Sequence, residues 1–416
     1  MYSLLLIFSL VLQVHSGERI NDALDSARAV YAARGERTTV LIQPGTYQEE
    51  LTIDVPGLTL RNAAKKPSIG LQNNGVDCDP QAVRITWYYG HGYQYRSMGE
   101  TPNYGGSRTR RWNASVLVSA PDFTAENIIF ENSFNLYVSE REAADSLVDI
   151  SQLDLPWTEK ERPKRMMPAR PKEVGSVDVQ KKQFRERAAA ISFTETAANA
   201  HLKNCRAAGR QDVVYGDQGA SVWWQGGVLQ GGVDFIFGGM CFCADRTTIV
   251  ANINGEKTDY CYISAGRSGG DQTPPPSTLN PQLSTLNTQP STLNPQHGLL
   301  FYRCHIRLAT EDELKIVNRQ SSNRQMVWLA RPWRWWGETV WAYTTWDEDV
   351  LNAEAWHVGL VKDKEGYNPD CPCPNSYEYR SQDGSVGRPS WVHILNRPIL
   401  PDGTKLTPKT WFSTPK

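Results

Sequence analysis

Short strand-like runs that return at similar intervals are the feature of this sequence that most constrains its fold. They are rich in β-branched and aromatic residues and are bounded by Gly, Asn, Asp or Pro. The clearest are 39–43, 58–60, 115–118, 127–130, 188–193, 222–224, 247–250 and 299–304. Related segments recur at roughly twenty residues or more, which is typical of a solenoid whose coils stack on one another. The pattern therefore predicts an all-β chain.

Two architectures fit such a chain, a β-sandwich and a parallel β-helix. A sandwich needs hairpins with tight Asn-Gly or Asp-Gly turns, and few such turns lie between strand pairs here. The recurrence of related segments favours the β-helix. Residues 20–34 differ, because their apolar and Ala positions recur at helical spacing. We predict a short N-terminal helix that caps the exposed sheet edge at one end of the solenoid.

The beginning of the chain resembles a secretory leader. The mostly apolar run from Leu4 to Val14 is too short to span a bilayer as a helix, and Val14-His15-Ser16 offers a cleavage site. We therefore predict a signal peptide at 1–16, one domain at 17–416, and a secreted protein. No later segment is apolar for long enough to form a transmembrane helix.

Two stretches interrupt the strand pattern within that domain. Residues 140–186 are strongly charged and contain Pro163 and Pro168, so we predict a long surface insertion. Residues 269–296 are of low complexity, because the hexapeptide at 277–282 returns at 291–296. A polar, proline-rich repeat cannot bury a core, so we predict a disordered loop extruded between two coils.

Charge and cysteine content limit the partners of the chain. Lys and Arg total 44 and Asp and Glu total 45, a balance that implies no strong attraction to nucleic acid or anionic membrane. The eight cysteines include C-x-C pairs at 241–243 and 371–373, which depart from the C-x₂₋₄-C spacing of structural zinc sites. We expect disulfides or buried thiols, and no metal site.

Three segments, 209–215, 231–238 and 329–334, concentrate the chemistry. Asp234 lies in an apolar run, and Asp212 precedes it by 22 residues, about one coil of a solenoid. Equivalent positions on neighbouring coils lie about 4.8 Å apart. Carboxylates that close shift each other's pKa values apart, so that one becomes an acid and the other stays an ionised nucleophile.

Arg331 and Trp333 complete this constellation. A guanidinium can bind a carboxylate through two hydrogen bonds, and Trp333 lies on the same side of an extended segment, where it can stack on a sugar ring. The amide of Gln211 can donate to an oxyanion. The ordinary alternatives are an outward-facing Asp234, a surface arginine and a core tryptophan.

These segments together resemble the pectin methylesterase family. The match is strongest for Gln211-Asp212, for 232–238 and for Ala330-Arg331-Pro332-Trp333. Weaker matches follow the same order along the chain, at 45–50, 119–127, 130–133 and 377–384. The resemblance covers roughly residues 20–390 apart from the two interruptions. It implies a right-handed parallel β-helix of the pectin lyase-like type.

The resemblance also implies hydrolysis of the methyl esters of polygalacturonate to free carboxylate and methanol, through an aspartyl acyl-enzyme. Asp234 would be the nucleophile and Asp212 the general acid and then base. Gln211 would help to form the oxyanion hole, and Arg331 would hold Asp234.

Three further positions are candidates for substrate binding. Trp333 and Tyr215 would line the sugar groove, whereas Phe235 is expected in the core. Arg187 stands where many family members carry a second oxyanion glutamine, so its role stays open.

The expected partner is methylated homogalacturonan, and the expected location is extracellular or in a cell wall, as a monomer. No cofactor is implied, since a carboxylate nucleophile with an acid partner supplies covalent catalysis. Two alternatives remain. Another β-helix pectin-degrading enzyme, such as a lyase, should show acidic calcium ligands and a basic residue. A catalytically impaired pectin-binding relative should lack Asp212, Asp234 or Arg331, and all three are present.

Overall fold

The computed structural model describes residues 10–99, 110–148, 168–256, 259–269, 297–318, 325–359, 361–362 and 365–413. Over these ranges the chain coils as a parallel β-helix, in which three sheets run side by side. Successive coils contribute one strand each to these sheets. The predicted all-β solenoid is confirmed.

Strands are numbered in chain order. The first sheet contains β1 (Leu10–Val14), β2 (Thr38–Ile42), β5 (Thr59–Asn62), β10 (Thr124–Glu126), β13 (Ala200–Lys203), β16 (Ser221–Gln225), β19 (Cys241–Asp245), β22 (Leu299–Tyr302), β25 (Thr339–Ala342), β27 (Ser376–Tyr379) and β28 (His393–Ile394). The second contains β3 (Gly45–Gln48), β8 (Val83–Trp87), β11 (Ile128–Asn132), β14 (Arg206–Ala208), β17 (Val228–Gly231), β20 (Thr248–Ala251), β23 (His305–Leu308) and β26 (Thr345–Trp346).

The third sheet carries the residues singled out above. It contains β4 (Leu51–Ile53), β9 (Val116–Val118), β12 (Ile191–Phe193), β15 (Val214–Gly216), β18 (Val233–Gly238), β21 (Cys261–Gly266) and β24 (Val327–Ala330). A separate antiparallel hairpin joins β6 (Leu71–Gln72) to β7 (Asp77–Cys78).

The corner between the first and second sheets requires a left-handed backbone conformation on successive coils. On successive coils the chain turns there through a residue with positive φ: Asn127, Asn204, Gly226, Arg246 and Arg303. Asn and Gly tolerate this left-handed conformation best. Neighbouring corners are also linked, since the Asn204 side chain donates a 2.7 Å hydrogen bond to Asn127.

The interior is filled by apolar side chains that stack from coil to coil. The rings of Phe301 and Trp341, on β22 and β25, are nearly parallel with their centroids 3.8 Å apart. Trp224 on β16 and Trp356 are also fully buried. Several of the 14 tryptophans of the chain therefore lie in the core.

The helix α1 (Ile20–Arg34) has the predicted bounds. It buries Ile20, Leu24 and Ala27 and contacts β1, β2 and β4 of the first coil, so its role as an end cap is confirmed. Gly35 ends it in a left-handed conformation. Three very short helices were not predicted: α2 (Arg110–Asn113), α3 (Glu140–Ala144) and α4 (Pro408–Trp411). Within the described ranges, no helix is long and apolar enough to cross a bilayer.

The N-terminal residues bear on the predicted leader. Residues 1–9 lie outside the described ranges, but Leu10–Val14 forms β1 and pairs with β2 from Leu10↔Thr38 to Val14↔Ile42. Val14 is buried. Cleavage after Ser16 would remove this strand and leave β2 as the edge of the sheet. The leader at 1–16 remains a prediction.

The charged insertion is anchored in the molecule at both ends. The Glu142 carboxylate on α3 binds the Arg170 guanidinium through hydrogen bonds of 2.8 and 3.0 Å, and both side chains are buried. The Arg170 guanidinium lies 3.9 Å from the centre of the Phe134 ring, and Phe184 is buried nearby. The prediction of a surface segment over 140–186 is therefore wrong for these ends, because opposite charges far apart in sequence pair in the interior. Residues 149–167 lie outside the described ranges.

The low-complexity repeat also lies outside them, at 270–296. The residues on either side of it meet: a Cβ built on Gly269 would lie 2.1 Å from the backbone N of Gly298. The segment therefore leaves and re-enters the β-helix at one point.

The cysteines were expected to form disulfides or to be buried thiols, and the structure distinguishes between these two states. All eight are within the described residues, none forms a disulfide, and all but Cys78 and Cys371 are buried. Burial raises the pKa of the Cys205 and Cys304 thiols to about 12. The other six cysteines are therefore buried thiols.

Candidate active site

Asp212 and Asp234 lie opposite each other on adjacent coils of the third sheet. Gln211 bridges Val233, and Val214 pairs with Ile236, so the residues between them are in register. The 22-residue separation is thus one coil, as predicted. Both aspartates are more than nine-tenths buried.

Local backbone geometry aims the two carboxyl groups. Asp212 and Asp234 have positive φ values of 58° and 48°, which are unusual for residues other than glycine. Asp234 also lies in a bulge, because β18 places two residues opposite one of β21 between Val233 and Ile236. A bulge redirects a side chain that simple alternation would place elsewhere. Phe235 meanwhile points into the core, as predicted.

Arg331, directly after β24, holds Asp234 through a bidentate pair. Its Nε donates to Oδ1 at 3.1 Å and its Nη2 to Oδ2 at 2.5 Å. The guanidinium carbon lies 4.1 Å from the centre of the Tyr262 ring. Two donors and a ring fix the plane of the guanidinium, and therefore the orientation of the Asp234 carboxylate.

The surroundings divide the protons between the two aspartates. Burial and then the charge of Asp234 raise the pKa of Asp212 well above its usual range. Burial also raises the pKa of Asp234, but the Arg331 guanidinium opposes this shift. The proton therefore belongs on Asp212, and Asp234 is the carboxyl held as an anion.

Gln211 and Arg187 are neighbours of Asp212 on the same sheet. Arg187 forms an isolated parallel bridge with Gln211, so the two occupy equivalent positions on neighbouring coils. Burial raises the pKa of Asp212, and the charge of Arg187 opposes this shift. Both are placed to act on the same reacting group.

Two side chains fix the Arg187 guanidinium. Its Nη2 donates to Nε2 of His91 at 2.9 Å, and its central carbon lies 4.9 Å from the centre of the Trp112 ring. Burial and then the charge of Arg187 lower the pKa of His91 to about 3. The imidazole is therefore neutral, with Nε2 as the acceptor and the proton on Nδ1.

An aromatic floor extends from the aspartates along the same sheet. It is formed by Tyr215 and Phe237, with Trp112 and Trp333 partly exposed above them. The Phe237 ring lies 4.9 Å from Tyr215, 5.7 Å from Trp112 and 6.1 Å from Trp333. Trp333 and Tyr215 thus belong to one cluster, in which Trp333 is partly exposed and Tyr215 is buried. The two partly exposed rings, Trp112 and Trp333, suit the apolar faces of sugar rings.

Comparison with solved structures identifies the architecture. Pectin methylesterase PemA from Erwinia chrysanthemi superposes with a TM-score of 0.61 at 18% identity, over 98% of this chain and 98% of that one. A pectin methylesterase in complex with a hexasaccharide gives 0.61 at 19% identity, over 98% of each chain. Pectin methylesterase from carrot gives 0.56 at 16% identity, over 94% of this chain and 88% of that one.

The chain has the fold of the pectin methylesterases. No protein-family model matches the sequence. No curated protein matches it either. The likeness is therefore one of architecture, and at these identities it shows the right-handed parallel β-helix alone.

Within this pectin methylesterase fold, sequence reasoning missed three residues of the site: His91, Trp112 and Tyr262. Trp112 lies between two other left-handed residues, Arg111 and Asn113, with φ values of 46°, 68° and 58° in order. Such strain in consecutive residues is a signature of functional sites, but it is not visible in a sequence. The position of Trp112 along the chain is a usable signal. Trp112 and Arg187 each come shortly before a strand of the sheet that carries Asp212.

Proposed function

We propose that this protein is a pectin methylesterase, a secreted enzyme that hydrolyses the methyl esters of polygalacturonate to free carboxylate and methanol. One observation carries the proposal. Two buried aspartates face each other across one coil, and only Asp234 is held by an arginine. Such a pair contains a nucleophile and an acid in adjacent positions, which is what ester cleavage through an acyl-enzyme requires.

In the first step, a carboxylate oxygen of Asp234 attacks the carbonyl carbon of the methyl ester. A tetrahedral intermediate forms, and its collapse breaks the bond to the methoxy oxygen. Asp212 gives its proton to that oxygen, so that methanol leaves. The galacturonate acyl group is then joined to Asp234 as an anhydride, and Asp212 is ionised.

In the second step, the ionised Asp212 accepts a proton from a water molecule. The resulting hydroxide attacks the acyl carbon, and the anhydride bond to Asp234 breaks. Asp234 leaves as a carboxylate, and the product is a free galacturonic acid unit that ionises in solution. Asp212 has recovered its proton, so the site is ready for another cycle.

Negative charge develops on the ester carbonyl oxygen in both steps. Gln211 is the proposed neutral donor to it, because it directly precedes Asp212 and lies beside Val233 on the next coil. Arg187 is the proposed second donor, in the equivalent position one coil away. A guanidinium fixed by His91 and Trp112 is oriented before the charge appears, which is the condition for strong electrostatic stabilisation.

The proposed substrate is methylated homogalacturonan, which would lie along the aromatic floor. Trp333, which is partly exposed, would contact a sugar ring on one side of the scissile ester, and the buried Tyr215 would belong to the cluster that supports it. The same proposal places the protein outside the cell or in a cell wall as a monomer, after removal of the predicted leader.

The test is release of methanol from highly methylated pectin by the purified protein, with free carboxyl groups measured in parallel. We expect equal amounts of the two products. The Asp234→Asn variant should release none, whereas the exposed Asp370→Asn control should match the wild type. A folded wild-type protein that binds pectin without releasing methanol would contradict the proposal and indicate a binding protein.

A further inference from the structure

The corner between the first and second sheets changes its residues along the β-helix. On earlier coils the left-handed position is occupied by Asn127, Asn204 and Gly226, which adopt it at little cost. The next four coils, which contribute β19, β22, β25 and β27 to the first sheet, carry bulky residues there instead. These are Arg246, Arg303, Tyr343 and Arg380, with φ values of 52°, 55°, 58° and 49°. A bulky side chain in a strained backbone conformation indicates a role beyond making the turn.

The side chains at this corner form one layer of tyrosines and arginines. The Tyr343 ring meets the rings of Tyr302 and Tyr379 edge to face, with centroids 5.5 and 5.1 Å apart. The central carbon of the Arg303 guanidinium lies 5.2 Å from the Tyr302 ring and 5.6 Å from the Tyr343 ring. That of Arg380 lies 5.4 Å from the Tyr379 ring. Three rings thus position two guanidinium groups, and both arginines are exposed. We call these five residues the corner strip.

The positive charge of the corner strip is not balanced by nearby carboxylates. Arg246, on the coil before it, is paired with Asp245 at 2.7 Å. Arg303 and Arg380, by contrast, have no carboxylate within 4 Å among the residues that the structure describes. Neighbouring coils stack about 4.8 Å apart, so the two coils between these arginines separate them by about 10 Å along the β-helix. Two unpaired cations therefore face the solvent in one row.

The corner strip is separate from the candidate active site. Asp212 and Asp234 lie on the third sheet, which takes no part in the corner between the first and second sheets. An anionic chain that follows the strip would therefore leave the two aspartates free to receive another stretch of polysaccharide.

We propose that the corner strip is a second, non-catalytic binding surface for an acidic polysaccharide, whose uronate carboxylates pair with Arg303 and Arg380. The identity of the ligand rests on the proposed function, because that reaction leaves a polyuronate as its product. A guanidinium binds a carboxylate through paired hydrogen bonds, and a polyuronate carries one carboxylate on each unit. The chain as a whole has almost no net charge, so it has no general attraction to nucleic acid. The strip would hold the enzyme on pectin that is already de-esterified.

The double variant Arg303→Asn/Arg380→Asn tests the corner strip, because it removes both charges and places a residue that suits the left-handed conformation. The assay is equilibrium binding to unmethylated polygalacturonate. Each exposed ion pair contributes a factor of about 1.4 to 5, so the dissociation constant should rise about two- to thirty-fold. Added salt should weaken binding by the wild type more than binding by the variant. Equal binding by the variant and the wild type at low salt would overturn the proposal.

Two further variants separate ligand binding from a structural role. Lys65→Asn/Lys66→Asn removes two charges from an exposed loop after β5 and should bind as the wild type does. Arg303→Lys/Arg380→Lys keeps the charges and should recover part of the binding. The asparagine variant should melt at the wild-type temperature or above it, since its backbone strain is relieved. A lysine variant that binds no better than the asparagine variant would refute recognition by charge.

Kinetics and binding together distinguish this inference from the proposed function. On a short methylated oligosaccharide, which can occupy only one surface at a time, Arg303→Asn/Arg380→Asn should keep the wild-type kcat/KM. On long, half-methylated pectin its KM should rise while kcat stays unchanged, because attachment at a second surface is lost. Binding requires no turnover, so a protein that releases no methanol but whose binding depends on both arginines would support the strip. Tighter binding of single-stranded RNA or anionic vesicles than of polygalacturonate, abolished in the same variant, would contradict the assigned ligand.

Discussion

Arg331→Lys should slow ester hydrolysis by about 10- to 100-fold, although it keeps the positive charge. The guanidinium makes two hydrogen bonds to Asp234, through Nε and Nη2. The lysine ammonium cannot reproduce this planar fork and makes only one hydrogen bond to the carboxylate. One charge-assisted hydrogen bond of about 1.5–3 kcal/mol is therefore lost. Since every 1.4 kcal/mol corresponds to about a factor of ten, this loss gives the predicted range if the bond orients the nucleophile.

The pH profile separates orientation from charge. Burial raises the pKa of Asp234, and Arg331 lowers it. Without a positive charge there, as in Arg331→Met, the pKa rises further, and a higher pH is needed to ionise the nucleophile. The acid limb of the kcat profile should therefore move to higher pH in Arg331→Met. It should move less in Arg331→Lys.

The assay is the initial rate of methanol release from pH 4 to 9, roughly the span over which shifted carboxyl groups titrate. Arg307→Lys is the control, since Arg307 makes a comparable bidentate pair with Glu313, at 2.7 and 2.8 Å, on the second sheet. It should retain full activity. A wild-type kcat and an unshifted acid limb in folded Arg331→Lys and Arg331→Met would refute the assigned role of Arg331.

Three other substitutions or deletions have distinct expected results. Asp212→Asn should lower kcat by about 10²–10⁴ through loss of the general acid. It should also raise the melting temperature increasingly as pH rises above the ordinary aspartate pKa, because the folded state raises the pKa of Asp212 and so loses stability over that range; thermal melts that show no gain would contradict this shift. Arg187→Gln should move the alkaline limb of kcat to higher pH, since the charge of Arg187 lowers the pKa of the acid Asp212; an unmoved limb would remove Arg187 from the site. Deleting 270–296 and joining the ends with a short flexible linker should leave activity and the melting temperature nearly unchanged, because Gly269 and Gly298 already adjoin; an unfolded product would show that the segment packs on the β-helix.

The sequence predicted those features that depend on the period of the coil. The separation of Asp212 and Asp234 is a local repeat, and stacking turns it directly into proximity. The helix at Ile20–Arg34 is likewise written in a local pattern, with Gly35 as its end. Both features follow from a spacing that can be read directly in the sequence.

Features set by tertiary contacts could not be predicted in the same way. The bulge at Asp234 arises because β18 has one more residue than β21 between two paired positions. The sequence of either strand alone does not reveal it. His91 reaches Arg187 across 96 positions of sequence, and Arg170 reaches Glu142 across 28, in both cases from loops without a period. The charged insertion was misread for this reason, because charges that pair in the interior look like surface charges in a sequence.

The separate roles of the two aspartates can be tested most directly with an activated ester of galacturonate, whose aryl alcohol leaves without a proton. In Asp212→Asn, Asp234 can still attack, but no base remains to activate water for the second step. We predict a rapid release of about one aryl alcohol per enzyme molecule, followed by a stall. Asp234→Asn should release none above the rate in buffer. A burst from Asp234→Asn, or none from folded Asp212→Asn, would contradict the assignment of Asp234 as nucleophile and Asp212 as acid and base.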